Sequence, residues 1–201
     1  FRRLSVFSQF TLDEFKFQEF FVERRQWWGN KYAVQAGIKY FDAFNIDKLD
    51  LQIEGNLIRP YIYAHRDSSS TFVHGNNPLA HPRGANLKEL IIRANYRPFE
   101  KLNFNFTALF LDQGESTPEN FVGDNPRIEN TNRNGDFNQE LLQGQLTTTN
   151  LYNLEASYRL LHDMHVYGQF QYRKYASVTT EETSFFMLGF RWNIQNRGFL
   201  F

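Results

Sequence analysis

The feature that most constrains the fold of this chain is a strict alternation of apolar and polar side chains, repeated in eight separate segments. Between residues 102 and 112, five even positions read Leu, Phe, Phe, Ala and Phe, and the odd positions 103, 105 and 107 read Asn, Asn and Thr. Successive side chains of a β-strand point to opposite faces, so each segment predicts a strand with one apolar face. The predicted strands are Leu4–Leu12, Lys31–Phe41, Lys48–Tyr63, Leu87–Arg97, Leu102–Asp112, Thr149–Leu160, His165–Tyr175 and Phe185–Ile194.

The connections between these segments alternate between short turns and long loops. Strands of about 9–11 residues joined in this way are typical of outer-membrane barrels, whose long loops face the cell exterior. The pattern therefore predicts an all-β fold, an antiparallel transmembrane outer-membrane β-barrel over residues 1–201 with eight strands visible. The long outer loops are predicted at about 13–30, 64–86 and 113–146, with an intermediate loop at 176–184 on the same side.

Composition agrees with this fold and excludes several others. No segment approaches the roughly 18 apolar residues of a transmembrane helix. Aromatic residues make up 17% of the chain and crowd the predicted strand ends, as in the interfacial girdles of membrane barrels. The formal net charge of zero gives no basic field for nucleic acid, and the lack of cysteine excludes a disulfide scaffold. We predict a bacterial outer-membrane location, with membrane lipid as a partner and no nucleic acid.

The polar face of the predicted strands carries charges of both signs. A soluble β-sandwich or lipocalin-like barrel also has alternating strands, and the alternation alone does not say which face lies inside. Strand length, aromatic girdles, loop asymmetry and the terminal Phe201 favour the membrane barrel, whose lumen the polar face would then line. The predicted lumen charges are Glu54, Glu89, Arg93, Arg97, Glu155, Arg159, Arg173 and Arg191.

Catalytic and metal chemistry is weakly represented in the sequence. His65, His74 and His81 fall in one predicted loop near Asp67, but no helix fixes their spacing. A Ser–His–Asp set using residues 68–70 lacks any nucleophile elbow. We therefore predict no enzyme activity, no metal and no cofactor.

Two adjacent tryptophans give a possible ligand site on the first long loop. Trp27 and Trp28 follow Arg24, Arg25 and Gln26, so an aromatic platform lies beside planar polar groups that suit a sugar. The alternative is an interfacial girdle with a rim of charge, because the tryptophans adjoin the start of a strand.

One stretch goes beyond periodicity. Residues 76–89 read NNPLAHPRGANLKE, and residues 95–99 then read NYRPF. Together with 7–15, which reads FSQFTLDEF, these motifs resemble the Wzi-like capsule-assembly barrels, including their RemB-like gliding-motility branch. The resemblance covers about 4–17 and 72–99, and the barrel pattern carries the rest.

The resemblance implies a non-enzymatic outer-membrane barrel that supports attachment of surface polysaccharide, or a gliding or secretion complex at the cell surface. Members of that family have more than eight strands, so this chain would be the C-terminal portion of one. His81 and Asn86 lie in the shared motif, where two roles remain open: anchoring loop backbone at the rim, or contacting a ligand. The alternative function is a passive pore or a purely structural barrel, since eight strands enclose little more than their own side chains.

Overall fold

A computed structural model describes residues 3–67, 70–74 and 77–193 of the chain. Several residues used in the sequence predictions lie outside these ranges. They are Ser68, Ser69, Asn76, the predicted strand end at Ile194 and the terminal Phe201.

The described residues form one antiparallel sheet of eight strands and a separate hairpin of two very short strands. Each strand of the large sheet is hydrogen-bonded to its neighbour in the chain, except that β3 pairs with β6 because the hairpin intervenes. The large sheet has the order β1-β2-β3-β6-β7-β8-β9-β10. The strands are β1 (Leu4–Leu12), β2 (Tyr32–Tyr40), β3 (Leu49–Ile58), β4 (Val73–His74), β5 (Asn77–Pro78), β6 (Leu87–Phe99), β7 (Leu102–Glu115), β8 (Gln145–Leu161), β9 (Met164–Ala176) and β10 (Thr180–Trp192).

The sheet confirms the all-β antiparallel prediction, but it does not confirm a barrel. Its two edge strands, β1 and β10, are not paired with each other among the described residues, so the sheet is open. Within the same residues, helical segments are too short and too polar for one of them to cross a bilayer.

Two strand ends differ from the prediction by five residues, and the others differ by four or fewer. β3 ends at Ile58 rather than Tyr63 because Pro60 has no N–H to donate and Tyr61 adopts a positive φ of 64°. β10 begins at Thr180 rather than Phe185, so a three-residue turn replaces the predicted intermediate loop. The added residues 180–184 are polar on both faces, which hides them from a search for alternating hydrophobicity.

The register gives the sheet one apolar and one polar face. A row of paired residues crosses all eight strands with apolar side chains only, namely Leu4, Tyr40, Leu51, Ala94, Phe106, Leu154, Phe170 and Phe186. Their sequence neighbours, including Lys39, Gln52 and Arg93, point to the opposite face. All eight charges predicted for a lumen share that polar face.

The apolar face forms a band that runs obliquely across the sheet. On each strand, we define the upper limit of the band as the apolar residue of this face that lies nearest to the long loops. From β1 to β10 these are Leu12, Tyr32, Leu57, Leu90, Phe110, Tyr152, Tyr172 and Phe186. The hydrogen-bonded row through Phe186 meets β1 at Leu4, eight residues before Leu12. The limit thus shifts by eight residues across seven neighbouring pairs of strands.

The buried core lies on the polar face, at the end of the sheet where the long loops meet. Ile58, Leu87 and Leu111 of the strands pack there with Ile62 and Tyr63 of the loop after β3. We call segments 59–67 and 116–144 the loop cap, since they are joined by hydrogen bonds such as Asn130 Nδ2 to Ala64 O (3.1 Å). The loop cap therefore covers the polar face at this end of the sheet.

Candidate functional site

The apolar face is exposed over its whole width. The side chains of Val6 on β1 and Leu188 on β10 are each 74% exposed, and Ile53 on β3 is 54% exposed. Contiguous exposed apolar surfaces of this extent are typical of sites that contact another molecule or lipid.

The opposite face carries a network centred on two buried carboxylates. Glu54 accepts hydrogen bonds from Gln35 Nε2 (2.8 Å) and Gln52 Nε2 (2.9 Å), and Arg93 Nη1 lies 3.6 Å from its Oε2. Asn56 Nδ2 contacts Glu54 Oε1 at 3.3 Å and Glu89 Oε2 at 2.8 Å. One amide thus bridges the two carboxylates. The network stabilises charge on this face through polar donors from neighbouring strands.

His81 joins the loop before β6 to this network. Its Nε2 lies 3.2 Å from Glu89 Oε2, and the Arg83 backbone N–H donates to its Nδ1 at 3.3 Å. Because Nδ1 accepts, Nε2 carries the proton and donates to the carboxylate. Both ring nitrogens of His81 are therefore engaged, and the loop before β6 is tied to the polar face.

Asn86 is fully buried at the start of β6 and its side chain is saturated with backbone contacts. Nδ2 donates to Gly114 O and Gln143 O, each at 2.8 Å, and Oδ1 accepts from Leu142 N at 2.7 Å. Asn86 thus connects β6, β7 and the end of the loop cap. These contacts are of the kind expected of a loop anchor, and a ligand-binding role for Asn86 stays a prediction.

A pocket of about 380 Å³ lies between the polar face of β1–β3 and the loop that follows β3. The rings of Tyr63 and Phe72 stack at one side, with centroids 6.0 Å apart. Amide side chains of the strands supply the polar wall. The pocket lining includes Gln9, Gln35, Asn56, Tyr63, Phe72 and His81. The pocket combines aromatic faces with planar hydrogen-bonding groups.

Trp27 and Trp28 lie among the loops, where cations stack on both rings. Lys16 Nζ is 4.3 Å from the ring centroid of Trp27, and the Arg133 guanidinium is 4.1 Å from that of Trp28. Trp28 also meets Tyr61 edge to face at 6.3 Å. Both tryptophans are half-buried, and their role in binding a ligand stays a prediction.

A buried lysine neutralises a cluster of groups that could otherwise bind a metal ion. Asp13, Glu14 and His65 bring one potential ligand atom each to within 4.8 Å of one another. Lys31 Nζ lies 3.3 Å from Asp13 Oδ2 and 3.1 Å from Glu14 Oε1, and its side chain is fully buried. The ammonium thus takes the position between the carboxylates, and Ala64 O accepts a third hydrogen bond from it at 3.3 Å.

The remaining predicted lumen charges lie farther along the polar face, away from the two carboxylates. Asn105 Nδ2 contacts Glu155 at 3.4 Å, and Arg191 and Arg173 stack over the rings of Tyr167 and Tyr175. Arg159 pairs in register with His165, and Arg97 donates its backbone N–H to Lys48 O at 3.2 Å. These five residues therefore do not form one site with the network around Glu54 and Glu89.

Sequence reasoning missed Lys31, Arg59 and Tyr61 as important residues. By alternation Lys31 lies on the polar side of the predicted strand Lys31–Phe41, where an exposed cation is expected, and its burial depends on loops that are distant in sequence. The one available signal was the Arg59-Pro60 pair, which interrupts the predicted strand.

Comparison with models of protein families, with curated proteins and with solved structures found no match for this chain. The resemblance to Wzi-like barrels therefore rests on the quoted motifs alone.

Proposed function

We propose that the chain is part of the wall of an outer-membrane β-barrel, with the apolar face against lipid and the polar face toward the interior. In this arrangement the long loops lie at the cell surface and the short turns on the periplasmic side. The protein acts without catalysis, as a surface scaffold in the bacterial outer membrane.

The observation that carries this proposal is the oblique course of the apolar band. At about 3.3 Å per residue and about 4.8 Å between strands, a shift of eight residues over seven strand pairs is an angle of about 40°. Strands of outer-membrane barrels are tilted by about 35–45° from the membrane normal. A horizontal lipid layer crosses such strands obliquely, so the band follows the course expected of a bilayer. A partner protein with a flat apolar face would need no such angle.

The height of the band supports the same arrangement. On β7 the apolar run extends from Leu102 to Phe110, and it ends where Asp112 follows at the next position on that face. On β8 it extends from Tyr152 to Leu160. Each run covers nine residues, and a tilted transmembrane strand needs about 9–11.

The experiment uses the absence of cysteine, so that a single introduced thiol is labelled cleanly. Leu154→Cys and Asn153→Cys, neighbours on β8, receive an environment-sensitive fluorophore in phosphatidylcholine vesicles with and without brominated acyl chains. We expect strong quenching at 154 and little at 153, because adjacent side chains face opposite sides of the sheet. Equal quenching at both sites, or none at 154, would contradict membrane embedding.

We further propose that the surface loops support attachment of polysaccharide, as the resemblance to Wzi-like barrels implies. The pocket beside Tyr63 and Phe72 favours this function, because sugars pack on aromatic faces and hydrogen-bond to amides such as that of Gln9. The alternative of an open passive pore has less support, since the loop cap covers the polar face at one end.

Polysaccharide attachment is tested with cells that retain a surface polysaccharide. Phe72→Ala and Gln9→Ala should lower retention, while Phe99→Ala, an exposed ring at the opposite end of the sheet, should not. Unchanged retention in both pocket variants would contradict polysaccharide binding in this pocket, and only the proposed scaffold function would remain. Steps of single-channel current through the wild-type protein would instead favour the pore.

A further inference from the structure

Arg59 lies at the upper limit of the apolar band. It follows β3 directly, and its backbone N–H donates to Tyr32 O at 3.1 Å, which continues the β2–β3 pairing by one step. Its guanidinium carbon is 5.8 Å from the centroid of the Tyr32 ring. Because Tyr32 belongs to the apolar face, the Arg59 side chain extends on that side of the sheet.

The Arg59 guanidinium has no anionic partner within the part of the chain that the structure describes. Its Nε is buried and makes no hydrogen bond. Lys31, by comparison, is met by two carboxylates and a carbonyl. Burial lowers the pKa of Arg59, and the neighbouring Tyr32 opposes this only in part. Arg59 is half-buried, and leaving its buried Nε–H without an acceptor is costly, so this group favours an anion from outside the chain.

A second cation lies on the next strand at the same border. Lys88 on β6 lies on the apolar face and is exposed, and it is paired in register with Leu57 of β3 on one side and with Asp112 of β7 on the other. It forms no ion pair among the described residues. Arg59 and Lys88 thus place two positive charges where the band ends, with the Asp112 carboxylate beside Lys88.

A shelf of apolar side chains adjoins Arg59 on the same side. We define the aromatic shelf as Phe15, Phe17, Phe20, Phe21 and Val22, which are 37%, 67%, 37%, 50% and 69% exposed. Phe20 packs edge to face on Tyr32 at 5.8 Å, so the shelf continues the apolar face beyond the strands. Apolar contact beside fixed cations is the arrangement that suits an amphiphile with an anionic head.

We propose that Arg59 and Lys88 bind the phosphate group of an anionic membrane-lipid headgroup, whose acyl chains lie along the aromatic shelf and the apolar band. A guanidinium recognises phosphate through two parallel hydrogen bonds, and the Lys88 ammonium would add a second positive charge. The inference rests on the proposed membrane embedding, and it adds a specific lipid site at the surface-facing border.

The test measures lipid binding by the protein in nanodiscs of phosphatidylcholine to which phosphatidic acid is added. Wild type should bind phosphatidic acid, and Arg59→Gln should weaken this binding by about tenfold, the usual effect of losing a charge-assisted hydrogen bond. Lys88→Gln, at an exposed position, should weaken it less and guards against a folding defect in the Arg59 variant. Arg59→Lys should restore part of the affinity. Arg127→Gln, an exposed loop cation, serves as the control.

Quenching at Leu154→Cys in the same variants separates the two proposals. If 154 stays lipid-exposed while neither Arg59→Gln nor Lys88→Gln changes binding, the lipid site is wrong and the membrane wall stands. If 154 is not quenched in any variant, both proposals fail. Inorganic phosphate is the second probe: if it competes with phosphatidic acid at equal concentration, the site is for free phosphate and the assignment to a lipid is overturned.

Discussion

The ring of Tyr61 lies directly against Gly123, and this contact joins the two segments of the loop cap. The Tyr61 N–H donates to Gly123 O at 2.9 Å, and a Cβ on Gly123 would lie 2.5 Å from Cδ1 of the ring. Gly123 has a φ of +75°, which also disfavours any side chain there.

We expect Gly123→Ala to destabilise the loop cap by about 2 to 4 kcal/mol, from backbone strain and steric overlap together. The measurement is the rate of limited proteolysis within 116–144. Gly135→Ala is the matched control, because Gly135 also has a positive φ (+87°) but nothing lies within 4 Å of its missing Cβ. Similar proteolysis of the two variants would mean that the Tyr61 contact contributes little.

Stability of the loop cap should fall at high pH. Burial raises the pKa of Tyr61 to about 12, and the hydroxyl lies 3.0 Å from Phe121 O, a partner that only the neutral phenol can serve. In an unfolded chain the tyrosine pKa is about 10. The contribution is therefore complete below about pH 10 and is lost as pH rises toward about 12, a change of about 2 to 3 kcal/mol. Proteolysis measured across this range should accelerate in wild type. Tyr61→Phe, which has no phenol to ionise, should remove that part of the pH dependence.

Asn86 should tolerate no charge. Asn86→Asp keeps the oxygen that accepts from Leu142 N. It replaces Nδ2, whose two N–H groups donate to Gly114 O and Gln143 O, with a carboxylate oxygen that cannot donate. The expected loss is about 3 kcal/mol, because two carbonyls then face an unpaired buried charge. The loss of stability is measured by thermal unfolding, followed through the loss of the β6–β7 pairing. Asn138→Asp is a control at another positive φ (58°), and an equal loss there would point to backbone strain rather than to lost donors.

The strands could be predicted from the sequence because each has one apolar face of nearly uniform character. Alternation located β1 to its final residue and placed the eight strands in order. It failed at 180–184, where Glu182 bonds to Lys174 at 2.9 Å and pairing rather than hydrophobicity extends the strand. The pattern within one strand does not determine how neighbouring strands are aligned. The oblique course of the apolar band is therefore evident only from the register of the paired strands.

The candidate sites were harder to predict because they depend on contacts between loops. The motif around His81 and Asn86 was located, but their partners Glu89 and Gln143 are 8 and 57 residues away. The Arg59-Pro60 pair indicates only where the strand is interrupted. The significance of Arg59 is an unmet hydrogen bond, which exists only in the folded chain.

The membrane wall makes a quantitative prediction about Phe170 and its neighbour Gln171 on β9. Phe170 is 47% exposed, so in a water-soluble protein Phe170→Arg would remove limited burial and cost little. Against lipid near the middle of the band, the same arginine should cost about 2 to 4 kcal/mol. Gln171→Arg faces the polar side and should cost much less. The measurement is the free energy of unfolding from phosphatidylcholine vesicles in denaturant. A small effect at Phe170, equal to that at Gln171, would mean that water or a protein surface covers the apolar face, and the wall would have to be abandoned.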